Sequence, residues 1–380
     1  MAVTERQTPS PAPDQLPPMD VAGRMDRLRS LLPTAGCDAL VVNNLTNIRY
    51  LTGFTGSAAV VLVTPDDAVF VSDGRYRTQS ADELGSAGVH ARIEIVAADP
   101  DAVVADAARA AGASRLGLEA DSVTWAQQRR WAGELFAGAE LVPTSALVEE
   151  LRLVKDAGEA ARIRSACAIA DAALEEVRPR LLDGPTEVEF GLELDAAMRR
   201  LGAADVSFET IVASGPNGAR PHHRPSDRRI EGGDLVVIDF GALVDGYHSD
   251  MTRTVAVGEV DDERRRMLDV VLTSQDAGVQ RVAAGASAAD VDEAYRAVID
   301  DAGWGEAFLH STGHGVGFDI HEEPRVSGRS TATLVAGHVV TVEPGVYLPG
   351  VGGVRIEDTV LVTPDGCDRL TLAPKDPALR

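Results

Sequence analysis

The sequence predicts an α/β domain followed by an α+β domain that contains an internal twofold duplication. Three observations support this prediction. The chain has 380 residues, which is long for a single domain and suits two. Short apolar runs alternate with helical patterns over residues 21–150, as in α/β domains. In residues 151–380, a pattern of helices followed by a pair of strands occurs twice.

The N-terminal side of the chain divides into a tail and the first domain. Residues 1–20 are polar and rich in proline, and they lack the apolar run of a signal peptide, so we expect a disordered tail. Within the first domain, strands are predicted for CDALVVNN, AAVVLVTP and DAVFVSD, and helices for VAGRMDRLRSLLP and DAVVADAARAAG. Asp73, Arg75 and Tyr76 follow the third strand, where they either cap a turn or reach the functional site or a partner subunit.

A long helical pattern crosses the boundary between the two domains. It reads ALVEELRLVKDAGEAARIRSACAIADAALEEVRPRLL, and we expect it to break around Lys155–Gly158. The second domain is therefore predicted to begin near residue 151.

The helices of the second domain are duplicated. RLLDGPTEVEFGLELDAAMRRLGA and RVAAGASAADVDEAYRAVIDDAGW align without gaps. Thr186 then matches Ser287, and Glu189 matches Asp290, so each helix is predicted to begin with a hydroxyl residue followed three positions later by an acid. Aspartate is the weaker partner in such a capping box, so the second match is partial.

The strands that follow the helices are duplicated as well. GDLVVIDFG matches GHVVTVEPG, which places Asp239 on Glu343. SDMTRTVAV matches IEDTVLV, which places Asp250 on Glu357. Chance similarity between amphipathic helices could explain the first alignment, but it does not readily explain four carboxylates at matching places.

The first strand pair brings its two acids to one face of the sheet. If Asp245–Gly246 forms a two-residue type I′ turn, Asp239 faces Thr252 across the hairpin. Asp239 and Asp250 are then diagonal neighbours on one face, about 7–8 Å apart at the backbone. A three-residue turn would place them on opposite faces.

Four acids that meet inside a domain repel one another unless they are protonated or share a cation. The segment FLHSTGHGVGFDIHEEP adds His310, His314 and His321, a concentration that core packing does not explain. One imidazole with four carboxylates favours hard or borderline ions such as Mn²⁺ over Zn²⁺. Such a set can hold two ions about 3.5–4 Å apart, and water between them becomes a nucleophile for hydrolysis.

These motifs resemble those of a known family. IDFGALVDGYHSDMTRT, HSTGHGVGFDIHEEP, TVEPGVYL and VRIEDTVLV are similar to the signature blocks of the pita-bread metallopeptidases, which include aminopeptidase P, prolidase and methionine aminopeptidase. NIRYLTGFTGS and SDGRY resemble the creatinase-type N-terminal domain of the Xaa-Pro branch. The resemblance implies a pita-bread fold for the second domain and two bound divalent ions, Mn²⁺ before Co²⁺ or Zn²⁺. It assigns these ions to Asp239, Asp250, His314, Glu343 and Glu357.

The resemblance also implies roles around the metal site. Glu343 is expected to shuttle a proton, and a histidine of PHHRPSD to contact the substrate, with His222 preferred over His223. His310 and His321 match the other two histidines of the active site, and they suit stabilising the tetrahedral intermediate and gripping the scissile proline.

Arg355 precedes Glu357 by two residues, and two interpretations remain open for it. It either orients the Glu357 carboxylate or lies at the surface as an ordinary arginine of a strand end.

The implied function is hydrolysis of the peptide bond before proline in a peptide substrate. A prolyl nitrogen has no N–H, which makes a dedicated site reasonable. We expect an Xaa-Pro aminopeptidase, because TGFTGSAAVVLVTP and DGRYRTQS resemble bacterial enzymes of that kind, with the dipeptidase prolidase as the alternative. A metal-free enzyme such as creatinase, or a non-catalytic binding module, should lack several of the five ligands.

Composition limits the partners and the compartment. A net charge of −23 disfavours nucleic acid and anionic membranes as partners, and no apolar run reaches the ~18 residues of a membrane span. Cys37, Cys167 and Cys367 are far apart and form no CxxC, which fits a reducing cytoplasm. The resemblance further implies a homodimer.

Overall fold

The computed structural model describes residues 15–311 and 313–379. They form two compact units, one comprising Met19–Arg152 and the other comprising the chain from Leu153 onward together with the described residues before Met19. Within these residues, no helix has both the length and the apolar character needed to cross a membrane.

Most of the predicted tail, residues 1–14, lies outside the described residues. The described residues before Met19 pack against the rest of the second unit. Leu16 packs against its hydrophobic core, and Nη1 of Arg162 donates a hydrogen bond to the Pro17 carbonyl at 2.9 Å.

The first unit is built around one mixed sheet. Its helices are α1 Arg24–Leu31, α2 Leu45–Thr52, α3 Arg77–Ser86, α4 Pro100–Ala110, α5 Trp125–Arg130 and α6 Leu147–Arg152. Its strands are β1 Ala39–Val42, β2 Ala59–Val63, β3 Ala68–Asp73, β4 Arg92–Val96, β5 Arg115–Glu119 and β6 Glu140–Thr144. The strand order is β4-β3-β2-β1-β5-β6, with β1, β2 and β3 antiparallel and the outer pairings parallel. The predicted strands correspond to β1, β2 and β3, and the predicted helices to α1 and α4. Asp73 caps the turn that follows β3, because its side chain accepts a hydrogen bond from the Arg75 N–H. This is the turn-capping role, one of the two interpretations that the sequence leaves open.

The second unit repeats a helix pair and a sheet. Its helices are α7 Ala157–Val177, α8 Glu187–Arg200, α9 Asp262–Val279 and α10 Ala288–Asp301. The strands of its first half are β7 Asp205–Val206, β8 Ile211–Ser214, β9 Leu235–Phe240, β10 Ala242–Val244, β11 Tyr247–His248 and β12 Met251–Ala256. Those of its second half are β13 Gly313–Gly315, β14 Glu322–Val326, β15 Val339–Val342, β16 Gly345–Leu348, β17 Gly352–Arg355, β18 Asp358–Thr363 and β19 Gly366–Arg369. The predicted break in the long helical pattern separates α6 from α7.

The internal duplication is visible in this order of elements. Helices α7 and α8 precede the antiparallel pair β9–β12, and α9 and α10 precede the antiparallel pair β15–β18. Thr186 and Glu189 form a reciprocal capping box at α8. Ser287 caps α10 through the Ala289 N–H, which agrees with the expected weakness of aspartate as a box partner.

The chain contains only two lysines, and both make ion pairs inside the second unit. Lys155 Nζ lies 2.8 Å from Glu322 Oε2, and the Lys155 side chain is only 1% exposed. Lys375 Nζ lies 2.8 Å from Asp358 Oδ2 on β18, with the side chain 14% exposed. Each lysine therefore fixes a residue that directly follows a predicted site residue.

Candidate metal centre

The hairpin that carries the first two acids has the predicted register. Asp245 and Gly246 both have positive φ, 50° and 84°, as a type I′ turn requires. Asp239 pairs with Thr252, so Asp239 and Asp250 lie on one face. The hairpin bends after β9, at Gly241, where a Cβ would come within 1.9 Å of the Ser249 carbonyl oxygen. Glycine is thus required at the point where the hairpin passes from one sheet to the other.

The second pair of acids occupies the corresponding ends of β15 and β18. Val342 pairs with Asp358, so Glu343 directly follows β15 and Glu357 directly precedes β18. Glu357 is 1% exposed, and its Oε2 accepts a hydrogen bond from Oγ1 of Thr252 at 2.7 Å. The two duplicated hairpins are therefore connected through a direct hydrogen bond at the site.

His314 lies on β13 and directs one ring nitrogen toward the acids. Its Nδ1 is 3.0 Å from the Gly315 carbonyl oxygen, to which it donates. This fixes Nε2 as the free nitrogen, and Nε2 lies 3.4 Å from Asp250 Oδ2 and 3.6 Å from Glu343 Oε1. One ligand atom from each of Asp250, His314 and Glu357 lies within 4.8 Å of the other two.

The acids of the site repel one another. Burial, together with the charges of the neighbouring acids, raises the pKa of Asp250 and that of Glu357 well above their usual range. The same causes raise the pKa of Glu343. Among the described residues, Asp239 Oδ1 is buried and has no hydrogen-bond partner. A buried oxygen-rich set with one imidazole and an unused carboxylate oxygen fits divalent metal ions.

Arg355 is buried and contacts Asp239. The sequence leaves two interpretations open: that Arg355 orients the Glu357 carboxylate, or that it lies at the surface as an arginine of a strand end. Its Nη2 donates to Asp239 Oδ2 at 2.5 Å, and its Nε donates to Thr252 Oγ1 at 3.0 Å. Because Thr252 donates in turn to Glu357, the guanidinium reaches that acid only through the threonine. The interpretation of Arg355 as a surface arginine is therefore wrong, and an orienting effect of Arg355 on Glu357 acts through Thr252.

Tyr347 connects Arg355 to His310, and the sequence analysis did not single it out. The Tyr347 hydroxyl accepts a hydrogen bond from Arg355 Nη1 at 2.8 Å, so its own proton is directed to His310 Nε2, also at 2.8 Å. Burial raises the pKa of Tyr347 to about 12. Burial, aided by the charge of Arg355, lowers the pKa of His310 to about 4, so this imidazole is neutral at neutral pH.

The two histidines of PHHRPSD have opposite surroundings. His222 is exposed, whereas His223 is buried with its Nε2 2.9 Å from Glu187 Oε2. This arrangement agrees with the preference for His222 as the residue available to a substrate.

The ring of His321 lies 4.3 Å from that of His314, centroid to centroid.

All nine predicted site residues line one pocket of about 690 Å³. They are His222, Asp239, Asp250, His310, His314, His321, Glu343, Arg355 and Glu357. The wall of the pocket also includes Arg224, Glu209 and Arg325, which sequence reasoning missed. Their only sequence signal is proximity to the histidine motifs.

Two family models match the chain. Residues 161–364 match the model described as metallopeptidase family M24, and residues 24–154 match the model described as the creatinase/prolidase N-terminal domain. These matches correspond closely to the second and first units.

Three similar proteins have names that refer to Xaa-Pro bonds. The Xaa-Pro dipeptidase of Pyrococcus furiosus is 43% identical over 60% of this chain and 66% of its own length. A solved structure of an Xaa-Pro dipeptidase from Bacillus anthracis is 41% identical with a TM-score of 0.90, covering 94% of this chain and 100% of that chain. An X-Pro aminopeptidase from Thermotoga maritima is 34% identical with a TM-score of 0.85, covering 92% and 99%.

Proposed function

Because the chain belongs to metallopeptidase family M24, we propose that it is a metal-dependent Xaa-Pro dipeptidase. The Xaa-Pro dipeptidase structure from Bacillus anthracis is 41% identical over 94% of this chain, whereas the structure named as an X-Pro aminopeptidase is 34% identical over 92%. These relatives favour the dipeptidase that the sequence analysis treated as the alternative over the expected aminopeptidase.

The observation that carries the proposal is the convergence of Asp250, His314 and Glu357 within 4.8 Å in the pocket. We assign Asp239, Asp250, His314, Glu343 and Glu357 as the residues that hold two divalent ions, with Mn²⁺ as the preferred metal. When bound, such ions polarise a carbonyl and lower the pKa of water.

The chain's own side chains supply proton transfer and orientation. Glu343 lines the pocket beside His314, where its carboxylate can take a proton from the attacking water and give it to the departing prolyl nitrogen. His222 and His321 line the pocket, from which they can hydrogen-bond the scissile carbonyl. Arg355 holds Asp239 by a charge-assisted hydrogen bond.

Preference for a dipeptide requires a positive charge for the carboxylate of the substrate proline. Arg224 and Arg325 both line the pocket. Arg224 is paired with Glu209 at 3.1 Å, and both side chains are at least 80% exposed. Arg325 lies 4.0 Å from Glu323 and is 47% exposed, so its guanidinium is the better placed of the two to bind that carboxylate.

The test compares an Xaa-Pro dipeptide, an Xaa-Pro-Yaa tripeptide and a dipeptide without proline, each with Mn²⁺, Co²⁺ or Zn²⁺ added to metal-depleted protein. We expect cleavage of the dipeptide that contains proline and the greatest rate with Mn²⁺. Cleavage of the tripeptide at an equal or higher rate would favour the aminopeptidase, the second candidate, which the Thermotoga maritima structure supports. The homodimer and the cytoplasmic location stay predictions.

A further inference from the structure

We propose that Glu187 is a positioning residue for the reaction, because it holds in place the segment that presents His222 to the pocket. The inference rests on the proposed function, which gives His222 its contact with the substrate. We refer to residues 214–226, which contain both histidines of PHHRPSD, as the His222 loop.

Several hydrogen bonds from this loop converge on the Glu187 carboxylate, which is 0% exposed. The N–H and the hydroxyl of Ser214 each donate to it at 2.7 Å. The N–H and the hydroxyl of Ser226 donate at 3.0 and 2.6 Å. Asn217 Nδ2 lies 3.1 and 3.2 Å from the two oxygens, and His223 Nε2 lies 2.9 Å from Oε2. One carboxylate therefore fixes the two ends and the interior of the loop.

The Glu187 carboxylate stays ionised although it is buried. Burial opposes ionisation, but the hydrogen bonds from Ser226, Ser214 and Asn217 together lower the pKa of Glu187 to about 2. A neutral amide at this position has one acceptor oxygen, so it cannot satisfy the same donors.

The loop contacts the predicted metal site through its backbone. The Pro221 carbonyl accepts a hydrogen bond from Arg355 Nη1 at 3.2 Å, and Nη2 of the same guanidinium donates to Asp239. Since Pro221 directly precedes His222, a shift of the loop would move His222 and would weaken one of the contacts that orient Arg355.

The helix end itself does not require Glu187. Glu187 is the first residue of α8, but the capping box of that helix is formed by Thr186 and Glu189. The hydrogen bonds to the Glu187 carboxylate come from the His222 loop. Glu189→Gln is therefore a matched control, since it makes the same chemical change two residues away, on an exposed cap.

The first experiment measures steady-state hydrolysis of an Xaa-Pro dipeptide and metal content for Glu187→Gln and Glu189→Gln. We expect Glu187→Gln to lower kcat/KM about 10- to 100-fold, because small misplacements of reacting groups cost up to about 100-fold. Bound metal should stay equal to that of the wild type, and Glu189→Gln should stay within about threefold in kcat/KM. Equal losses in the two variants would overturn the proposal.

A double-mutant cycle with His222→Ala separates positioning from general destabilisation. If Glu187 acts through His222, Glu187→Gln should cost less than about threefold in the His222→Ala background, because the two effects are not additive. A loss of the same factor in both backgrounds would overturn the proposal. If Glu187→Gln does not fold, Ser226→Ala removes one donor to the same carboxylate and is tested in the same cycle, with a smaller expected loss.

An NMR measurement with labelled histidine tests the positioning role of Glu187 independently of the proposed peptidase activity, because it needs no turnover. Glu187→Gln should shift the ring signals of both His223 and His222, and Glu189→Gln should shift neither. An unchanged His222 signal would overturn the positioning role. A wild type that cleaves no Xaa-Pro peptide while these shifts occur would contradict the proposed function alone.

Discussion

Replacing Asp250 by asparagine should abolish hydrolysis and lower metal content, yet make the metal-free protein more stable. Asp250 is 6% exposed, and its carboxylate is close to other acids that oppose its charge. The amide has nearly the same shape but no charge. The variant therefore removes repulsion from the metal-free site while it also removes a predicted metal ligand.

The magnitude follows from the spacing of the acids. Ligand oxygens of Asp250 and Glu357 lie within 4.8 Å, where two full charges repel by about 3 kcal/mol at an effective dielectric constant near 20. The metal-free wild type can also relieve this repulsion by taking up a proton, which reduces the difference in stability between the variant and the wild type. We therefore expect Asp250→Asn to raise the free energy of unfolding of the metal-free protein by about 1–2 kcal/mol at neutral pH.

The assay is urea unfolding of chelator-treated protein, with metal content measured on untreated samples. Glu259→Gln is the control, because it removes the same charge from an exposed position after β12 and should leave the free energy of unfolding within about 0.5 kcal/mol. If metal-free Asp250→Asn unfolds more easily than the wild type, Asp250 supports the fold as a structural residue and the argument from repulsion is refuted.

Three further predictions concern other parts of the second unit. Tyr347→Phe should lower kcat about tenfold with little change in KM, because it removes the hydroxyl between Arg355 and His310; a change in KM alone would contradict this role. Arg325→Ala should raise KM for an Xaa-Pro dipeptide about tenfold and leave KM for the corresponding Xaa-Pro amide unchanged, since the amide has no carboxylate; equal effects on both would exclude the proposed contact. Burial and the charge of Lys155 lower the pKa of His338 to about 4. Between pH 4 and 6.5 the unfolded chain therefore binds more protons at this histidine than the folded chain does. Because of this difference, the free energy of unfolding rises with pH over that range. In urea titrations, His338→Gln should reduce this rise by on the order of 1–2 kcal/mol after allowance for solvent screening, and an unchanged pH dependence would show that His338 does not contribute.

The acids of the site could be predicted from the sequence because strand geometry relates residue number to position. Once Asp245–Gly246 is identified as the turn, alternation of side chains fixes the face on which Asp239 and Asp250 lie. The duplication then extends the prediction to Glu343 and Glu357. In each step the backbone alone determines the outcome, and the structure has the same register.

The contacts of long side chains could not be predicted in this way. Arg355 and Glu357 are two residues apart, which suggested that Arg355 orients Glu357. The guanidinium instead donates to Asp239 on a different strand, and it reaches Glu357 only through Thr252. Tyr347 and Glu187 were missed for the same reason, since their partners are distant in sequence and depend on tertiary packing. The proposed preference for dipeptides rests on pocket residues such as Arg325, and no periodic pattern in the sequence marks these residues.

The two lysines, Lys155 buried and Lys375 partly buried, make the protein a convenient subject for chemical labelling. A reagent that modifies side-chain amines reaches Lys155 only when its ion pair with Glu322 opens, and it should react faster with Lys375 when the ion pair with Asp358 opens. Glu322 follows His321 and Asp358 follows Glu357, so the rate of modification at each lysine reports local opening beside a different part of the site. Mass spectrometry of a single labelled sample would therefore follow both openings separately, without any engineered probe.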